Sequence, residues 1–294
     1  MTFWSRLIAD KMAVISMSII LLFIIAGAFA PILAPHDPLK MNIAQKFAGM
    51  SWTYPLGTDQ LGRCVLSRLL FGIRTTIFYA MITTFITLGI ATTLGIIAGF
   101  FRGKVDEFIM RICDVMLSFP SEVMILAIVG VLGPGLLNVV IANIIAHWAW
   151  YTRMIRSAVI QYTDKNYIRF SKVSGCNTNH IMRKHLLPGV SGEVAVFSTL
   201  DTGWVILSIS ALSFLGLGVQ APTPEWGMML NEAKNVMITM PTQMLAPGIA
   251  ILIIVSAFNF LGDSMQSALN PKLFQKKKGV KWNVFIRNKK PVSN

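Results

Sequence analysis

The longest uncharged stretch of the chain strongly limits the folds that it can adopt. The 27 residues between Arg74 and Arg102 contain no Asp, Glu, Lys or Arg. As an α-helix, which rises about 1.5 Å per residue, this stretch would be about 40 Å long, whereas the hydrocarbon core of a bilayer is about 30 Å thick. Because a backbone in lipid has to form its hydrogen bonds internally, the stretch is predicted to be a transmembrane helix that tilts or protrudes.

Five other apolar runs indicate that most of the chain lies in a membrane. Hydrophobic residues make up 54% of the 294 residues, and charged residues only 13%. A soluble domain of this size cannot bury so much apolar surface, whereas a bilayer solvates it. The sequence therefore predicts an all-α integral membrane fold with six transmembrane helices. The six runs cover residues 12–34, 75–101, 115–133, 136–151, 194–217 and 244–261.

The boundaries of the runs carry further information. The third and fourth runs are separated only by Gly133-Pro134-Gly135, which breaks a helix and predicts a tight helical hairpin. The first run has features of a signal peptide, because Arg6 precedes it and Ala28-Phe29-Ala30 resembles a cleavage site. Its apolar stretch exceeds the roughly 7–15 residues of such signals, and Pro31 follows the candidate site, so a retained helix is favoured.

The distribution of Lys and Arg predicts the orientation of the chain. With the N-terminus inside, 20 of the 26 basic residues lie on inner segments and six on outer segments. Cytoplasmic loops carry an excess of Lys and Arg, so both termini are predicted to be cytoplasmic. The predicted segments are an N-terminus at 1–11, a transmembrane domain at 12–263, outer loops at 35–74 and 218–243, an inner loop at 152–193, and a basic tail at 264–294.

The net charge of +13 raises the question of a nucleic-acid partner. The basic residues lie in short segments between apolar runs, without the interleaved aromatic side chains on which bases stack. No nucleic-acid partner is therefore predicted. Membrane topology accounts for the charge, and the basic tail is predicted to be solvated or to contact lipid headgroups.

The inner loop at 152–193 is too long and too well patterned for a simple connector. Apolar residues recur at helical spacing on two short segments separated at Gly175. This pattern predicts a helix, a glycine turn and a second helix that ends at Pro188. Such a projection suits the transmission of force from a soluble partner to the membrane helices, and an amphipathic surface hairpin without a partner is the alternative.

The same loop resembles a known coupling element. Gly175, followed by His185-Leu186-Leu187-Pro188, is similar to the Glu-Ala-Ala loop of ABC importer permeases, whose coupling helix docks in a groove of the ATPase subunit. At the Glu-Ala-Ala position this chain has Arg169-Phe170-Ser171, so the usual acidic contact is missing. The resemblance implies that ATPase coupling involves Arg169, Phe170, Ser171, Gly175, Cys176, His185 and Pro188.

Two other segments resemble one branch of these permeases. The segment from Tyr54 to Thr76 and the segment from Ser213 to Ala233 look like the C-type permease of the oligopeptide, dipeptide and nickel importer family. The first segment has Cys64 where the family normally has Asp. The likeness continues at 35–38, 114–120 and 257–271, so that it covers nearly the whole chain.

This resemblance implies a type I ABC importer permease fold with a cytoplasmic coupling-helix hairpin. It also implies a multi-pass location in a bacterial cytoplasmic membrane, with membrane lipid around the bundle. The expected partners are a homologous B-type permease, two ATPase subunits that bind ATP and Mg, and an extracytoplasmic solute-binding protein. No cofactor and no catalytic residue are expected on this chain.

Two short stretches suggest the cargo. His147-Trp148-Ala149-Trp150-Tyr151 and Thr199-Leu200-Asp201-Thr202-Gly203 resemble the nickel or metal-chelate permeases more than the peptide permeases. They imply import of a metal chelate, with nickel, cobalt or zinc held by an opine-like or other small chelator. A dipeptide or oligopeptide importer is the alternative.

Asp201 is the acidic residue nearest the middle of a predicted span. A charged side chain there costs about 2.5–3.5 kcal/mol on insertion scales, and such residues usually face a cavity or a partner. Asp201, His147, Trp150 and Trp204 are therefore predicted to line a translocation path. The alternative is that Asp201 pairs with His147, Trp150 or a partner subunit to fix helix packing. One His and one Asp do not make a complete metal site, so a chelated cation fits better than a bare one.

Two other classes of protein are less consistent with the sequence. An ion-coupled secondary transporter would carry several intramembrane carboxylates in relay, whereas the spans offer only Asp201 and His147 at depth. A membrane enzyme is disfavoured because no H-E-x-x-H motif, paired intramembrane aspartates or Ser-His pairing stands out. The chain also has no G-x-x-x-x-G-K-[ST] phosphate loop, so nucleotide hydrolysis is expected on another subunit. Cys64, Cys113 and Cys176 are widely spaced, so neither a disulfide framework nor a zinc site is predicted.

Overall fold

The computed structural model describes residues 3–269, and within this range the chain forms α-helices joined by loops, without a β-strand. Most of the predicted basic tail at 264–294 lies outside the described residues. Two five-residue π-helical turns interrupt long helices, at Arg74–Phe78 and Met182–Leu186. The α-helices are α1 Phe3–Ala9, α2 Lys11–Ala28, α3 Ala30–Leu33, α4 Val65–Ile73, α5 Tyr79–Phe101, α6 Gly103–Leu117, α7 Ser121–Leu132, α8 Leu136–Thr163, α9 Asn166–Val173, α10 Thr178–Ile181, α11 Leu187–Phe214, α12 Trp226–Ala233 and α13 Thr242–Leu269.

Several of these helices are long and apolar enough to cross a membrane. Four continuous stretches qualify among the described residues, and a fifth is added if α6 and α7 together form one bent span. Helix α8, over the predicted fourth run, is not among them, and its sequence contains the polar residues Asn138, Asn143 and His147. The chain is thus a multi-pass membrane protein, and the number six stays a prediction. The four stretches are Lys11–Ala28, Val65–Phe101, Thr178–Phe214 and Thr242–Leu269.

The predicted third span is wrong as a continuous helix. Helix α6 ends at Leu117, α7 begins at Ser121, and the two helices are bent by 81°. Pro120 lies at the break, where its ring and missing N–H do not allow an undisturbed helix. Helix α7 has 12 residues, about 18 Å, which is shorter than the hydrocarbon core.

The predicted hairpin between the third and fourth runs is confirmed. Helix α7 ends at Leu132 and α8 begins at Leu136. Gly133 has a φ of 87°, a backbone conformation that favours glycine. The side chain of Asn138 donates to the carbonyl of Leu132 at 3.0 Å, so the last turn of α7 gains a partner for one of its carbonyls.

The prediction that a helix ends at Pro188 is also wrong. Helix α10, the π-turn Met182–Leu186 and α11 form one continuous helical stretch of 37 residues, Thr178–Phe214. Pro188 lies in the first turn of α11, directly after the π-turn. The wider π-turn accommodates a proline that would otherwise clash with the preceding turn. The loop predicted at 152–193 therefore continues without interruption into a candidate membrane span.

Small residues allow the two central helices to pack closely. Helix α5 packs along α8, and a Cβ placed on Gly99 would lie 2.8 Å from the side chain of Val159. A Cβ on Gly95 would lie 3.0 Å from Ile155, one turn away. This G-x-x-x-G spacing permits the close helix approach that is common in membrane bundles.

The two ends of the described chain meet on one face of the bundle. The Arg6 guanidinium donates to the carbonyl of Ala268 at 3.2 Å, and the Ser264 hydroxyl donates to the Asp10 carboxylate at 2.8 Å. These contacts join α1 and the start of α2 to the end of α13. The arrangement is the one required if both termini lie on the same side of the membrane.

Candidate functional sites

The first candidate site is the hairpin of residues 166–186, which the sequence analysis predicted to be a coupling element. It consists of α9, a turn at Gly175, α10 and the π-turn Met182–Leu186. Gly175 has a φ of 75°, and no atom lies near the position of an added Cβ. The glycine is therefore needed for its backbone conformation rather than for space.

The hairpin is joined to the membrane helices by apolar contacts. Ile168, Ile181 and Leu186 are buried in one cluster with residues of α5 and α8, such as Leu88 and Ile155. Three of the apolar positions at helical spacing thus form the base of the hairpin. Because they pack on α5 and α8, a displacement of the hairpin acts directly on those two helices.

The predicted coupling residues separate into two groups. Arg169, Gly175, Cys176 and Pro188 are exposed, and the Phe170 side chain is 72% exposed on α9. In the second group, the Ser171 hydroxyl lies 3.4 Å from His185 Nε2 on the inside of the hairpin. The first group forms a surface, whereas Ser171 and His185 hold the two arms together.

The second candidate site is a polar cluster among α5, α8 and α11. The Tyr151 hydroxyl donates to Oδ1 of Asp201 at 2.5 Å, and Asp201 is only 1% exposed. Within residues 3–269, its other oxygen, Oδ2, has no hydrogen-bond partner, and neither has the buried hydroxyl of Thr84. His147 is half-buried one turn before Tyr151, with Nδ1 placed 3.0 Å from the carbonyl of Asn143.

The four residues predicted to line a path do not share one environment. Asp201 is enclosed by helices, whereas Trp150 and Trp204 are 44% and 53% exposed. Sequence reasoning missed Tyr151 as the partner of Asp201. The available signal was spacing, since Tyr151 follows His147 by four residues and therefore lies on the same helix face.

An open apolar groove of about 310 Å³ runs between α7 and α11. It is lined by Trp204 and Leu207 on α11 and by Ile125 and Leu126 on α7, with Glu122 at its edge. This groove gives the exposed side of Trp204 a continuous apolar surface. Trp204, unlike Asp201, thus faces outward from the bundle.

The third candidate site is an ion-pair quartet of Asp59, Arg63, Arg68 and Glu232, at the opposite end of α4 and α5 from the hairpin. Asp59 accepts from Arg63 Nε at 2.6 Å and from Arg68 at 2.7 Å. Glu232 accepts from Arg63 at 2.9 Å and from Arg68 at 2.5 Å. Both arginines are nearly fully buried. The quartet joins the loop before α4 to α12, and the sequence analysis did not identify it.

Glu225 makes a second link at the same end. Its carboxylate caps α12 by accepting from the backbone N–H groups of Gly227 at 2.9 Å and Met228 at 2.8 Å. Burial raises the pKa of this carboxyl above its ordinary value, and the two backbone hydrogen bonds oppose that rise. The Thr76 hydroxyl also donates to Glu225, so the π-turn Arg74–Phe78 is tied to α12.

Cys64 occupies the position where a carboxylate was expected from the resemblance. It is buried and precedes α4 as its N-cap, without a side-chain hydrogen bond to the helix. Across residues 3–269, no group of three or more His, Cys, Asp or Glu side chains is arranged to hold a metal ion.

Comparison with known proteins gives the class of this chain. Residues 91–275 match the family described as binding-protein-dependent transport system inner membrane component. Residues 1–49 match the N-terminal TM domain of oligopeptide transport permease C. The chain belongs to the binding-protein-dependent permease family and has its all-α type I fold. It is a permease subunit of an ABC importer, and ATP hydrolysis belongs to a separate subunit.

Similar proteins extend over nearly the whole length of the chain. The metal-staphylopine import system permease protein CntC of Staphylococcus aureus (strain NCTC 8325 / PS 47) is 48% identical over 273 residues, which is 93% of this chain and 94% of that protein. The nickel transport system permease protein NikC of Escherichia coli (strain K12) is 39% identical, over 81% of this chain and 86% of that protein. The dipeptide transport system permease protein DppC of Alkalihalophilus pseudofirmus is 37% identical, over 92% and 89%.

Proposed function

We propose that this permease subunit imports a metal chelate, in which nickel, cobalt or zinc is held by an opine-like or other small chelator. The observation that carries the proposal is the 48% identity to the metal-staphylopine permease over 93% of this chain. The dipeptide permease covers a similar share at 37% identity. The higher identity to the metal-staphylopine permease than to the dipeptide permease, at similar coverage, favours a metal chelate as cargo.

We infer that the chain works in a larger assembly in a bacterial cytoplasmic membrane. A homologous B-type permease supplies the other half of the path, and an extracytoplasmic solute-binding protein delivers the chelate. Two ATPase subunits bind ATP and Mg, and this chain binds no cofactor. The concentration of Lys and Arg on one set of loops supports an orientation with both termini and the hairpin in the cytoplasm.

The hairpin is the element proposed to receive force from the ATPase subunits. Its exposed residues, Arg169, Phe170 and Cys176, form the docking surface, and Val173, 87% exposed, extends the apolar part of that surface. Ile168, Ile181 and Leu186 carry the displacement to α5 and α8 through their shared cluster. Rotation of α5 and α8 as a rigid body then alternates the access of the path.

We propose that Trp150 and Trp204 face the path, because both are exposed on the bundle surface. Asp201 and His147 then lie behind these two tryptophans. Asp201 fixes α11 against α8 through its hydrogen bond with Tyr151. An ion-coupled secondary transporter is disfavoured, since the chain belongs to a family whose members depend on a binding protein.

The proposed cargo is tested by measuring the uptake of radiolabelled compounds by cells. A strain lacking this chain is compared with the parent for uptake of a radiolabelled nickel, cobalt or zinc chelate and of a radiolabelled dipeptide. The proposal predicts loss of chelate uptake with dipeptide uptake retained, and recovery when the gene is restored. Loss of dipeptide uptake alone would support the alternative function, a dipeptide or oligopeptide importer, which the oligopeptide permease match at residues 1–49 favours.

A further inference from the structure

The hairpin brings two histidines together that helical spacing alone would separate. The ring centres of His180 and His185 are 5.8 Å apart, with the ring planes at 70°. Residues five apart in an α-helix point about 140° away from each other. The π-turn Met182–Leu186 widens the helix between them and so places both rings on one side.

Hydrogen bonds on the inside of the hairpin orient one of these rings. The Ser171 hydroxyl donates to the carbonyl of Tyr167 at 2.9 Å and lies 3.4 Å from His185 Nε2. A hydroxyl has one hydrogen, so the second contact requires Nε2–H of His185 to donate to Ser171. Neutral His185 then keeps its lone pair on Nδ1. A ring N–H held by a fixed acceptor is the usual support of a metal-binding histidine.

We propose that His180 and His185 form an open two-imidazole site for a tetrahedral divalent cation of the Zn²⁺ type. With a metal–nitrogen bond of about 2.0–2.1 Å, each ring centre lies about 3.2 Å from the metal, and two rings at a tetrahedral angle are about 5.2 Å apart. The observed 5.8 Å is close to this separation. Water completes the coordination, in keeping with the absence of a third His, Cys, Asp or Glu ligand in the described part of the chain.

The surroundings indicate reversible binding rather than a permanent structural metal. His180 is exposed and reachable from solvent, whereas His185 is half-buried. Arg183 and Lys184 lie between the two histidines and repel a cation, although both are exposed and therefore screened by water and salt. Two neutral imidazoles favour Zn²⁺, Ni²⁺ or Cu²⁺ over Mg²⁺ or Ca²⁺.

The position of the site suggests a regulatory consequence, which rests on the proposed import function. If the hairpin receives force from the ATPase subunits, a cation that bridges its two histidines stiffens the same element. Cytosolic Zn²⁺ would then slow the transport cycle when the imported metal accumulates. Binding of the cation itself depends only on the hairpin and does not require any particular cargo.

Metal binding is measured on the purified complete importer, with Zn²⁺ alone as the probe. Equilibrium dialysis compares the parent protein with His180→Ala and with Asn179→Ala, an adjacent exposed position without a metal ligand. His180→Cys supplies a matched variant that keeps a ligand. We expect His180→Ala to weaken Zn²⁺ binding at least tenfold, and Asn179→Ala and His180→Cys to bind like the parent. Equal binding in the parent and His180→Ala would overturn the site.

Two further readouts separate the site from its consequence. Co²⁺ bound in place of Zn²⁺ should give the strong visible absorption of tetrahedral coordination, and this absorption should be lost in His180→Ala. In proteoliposomes, micromolar Zn²⁺ should lower ATPase activity at least twofold in the parent and not in His180→Ala. Zn²⁺ binding without any change in ATPase activity would retain the site and overturn regulation.

Discussion

The Tyr151 hydroxyl donates a 2.5 Å hydrogen bond to Oδ1 of Asp201, across the interface between α8 and α11. Both side chains are buried, and Tyr151 also contacts the rings of Trp150 and Phe197. The carboxylate is therefore held inside the bundle by a residue 50 positions earlier in the chain. This contact supports the alternative prediction for Asp201, that it fixes helix packing rather than lining a path.

Removing the Tyr151 hydroxyl should destabilise the bundle. Tyr151→Phe keeps the ring but removes the hydrogen bond that Oδ1 of Asp201 accepts. The expected cost is about 1–2 kcal/mol, between the values for membrane hydrogen bonds and for buried bonds to charged groups. A lower midpoint of thermal unfolding in detergent would measure it. Tyr162→Phe is the control, since that hydroxyl makes a longer 3.4 Å contact with Glu193 and should change stability less.

The Asp201→Asn variant tests whether Asp201 is needed for helix packing or for its negative charge. Asn keeps an oxygen that accepts from Tyr151, and its amide can donate to the Thr84 hydroxyl, for which the described part of the chain supplies no hydrogen-bond partner. Because Asp201 is enclosed, we expect Asp201→Asn to retain at least half of parental chelate uptake, whereas Asp201→Leu loses most of it. Abolished uptake in Asp201→Asn, at unchanged protein level in the membrane, would show that the negative charge itself is needed in the path.

Replacing Glu232, one of the two carboxylates of the ion-pair quartet, should strongly destabilise the protein. Glu232→Gln leaves Arg63 and Arg68 sharing only Asp59, in a nearly fully buried position. Breaking a buried pair in this way costs about 3–5 kcal/mol. Glu107→Gln is the matched control, because the Glu107–Arg111 pair is exposed at 3.9 Å, and such pairs contribute about 0–1 kcal/mol. Equal unfolding midpoints for the two variants would contradict the structural importance of the quartet.

Gly99 should tolerate no large side chain. A Cβ there would meet Val159 at 2.8 Å and the backbone carbonyl of Arg156 at 3.1 Å, so α5 and α8 would have to separate. Gly99→Leu is expected to cost at least about 1–3 kcal/mol from overpacking. Gly89→Leu lies on the same helix with open space around the added atom and should be nearly neutral. Unfolding midpoints of the two variants measure the difference, and similar values would contradict the close packing of α5 on α8.

Local patterns were sufficient to predict much of the fold. Apolar runs identified most of the spans, and Gly133-Pro134-Gly135 identified the hairpin between α7 and α8. Both predictions that involve a proline were wrong, because the third run was predicted to continue through Pro120, where the helix breaks, and a helix was predicted to end at Pro188, where it continues. The difference is the π-turn Met182–Leu186, which depends on local geometry that residue type does not reveal.

The candidate sites were harder to predict, because their partners are distant in sequence. Arg68 and Glu232 are 164 positions apart, and their pairing follows from how α12 packs against the loop before α4. The partner of Asp201 likewise depends on the register between α8 and α11. The hairpin was predictable because its components are local, a glycine turn between two short helical segments, although the pairing of Ser171 with His185 was not.

Gly175 gives the most direct test of the hairpin. Its φ of 75° lies in the left-handed region, which glycine adopts without penalty and a β-branched residue adopts only with strain of about 1–3 kcal/mol. Gly175→Val should therefore distort the turn and abolish chelate uptake while the protein remains in the membrane. Gly175→Asn should retain more uptake, because asparagine tolerates this conformation and open space surrounds the position. The same ranking is expected for ATPase stimulation in proteoliposomes. Because no atom lies near an added side chain at Gly175, the only expected effect of Gly175→Val is strain in the backbone of the turn. Normal uptake in Gly175→Val would therefore mean that the geometry of the hairpin does not carry the coupling.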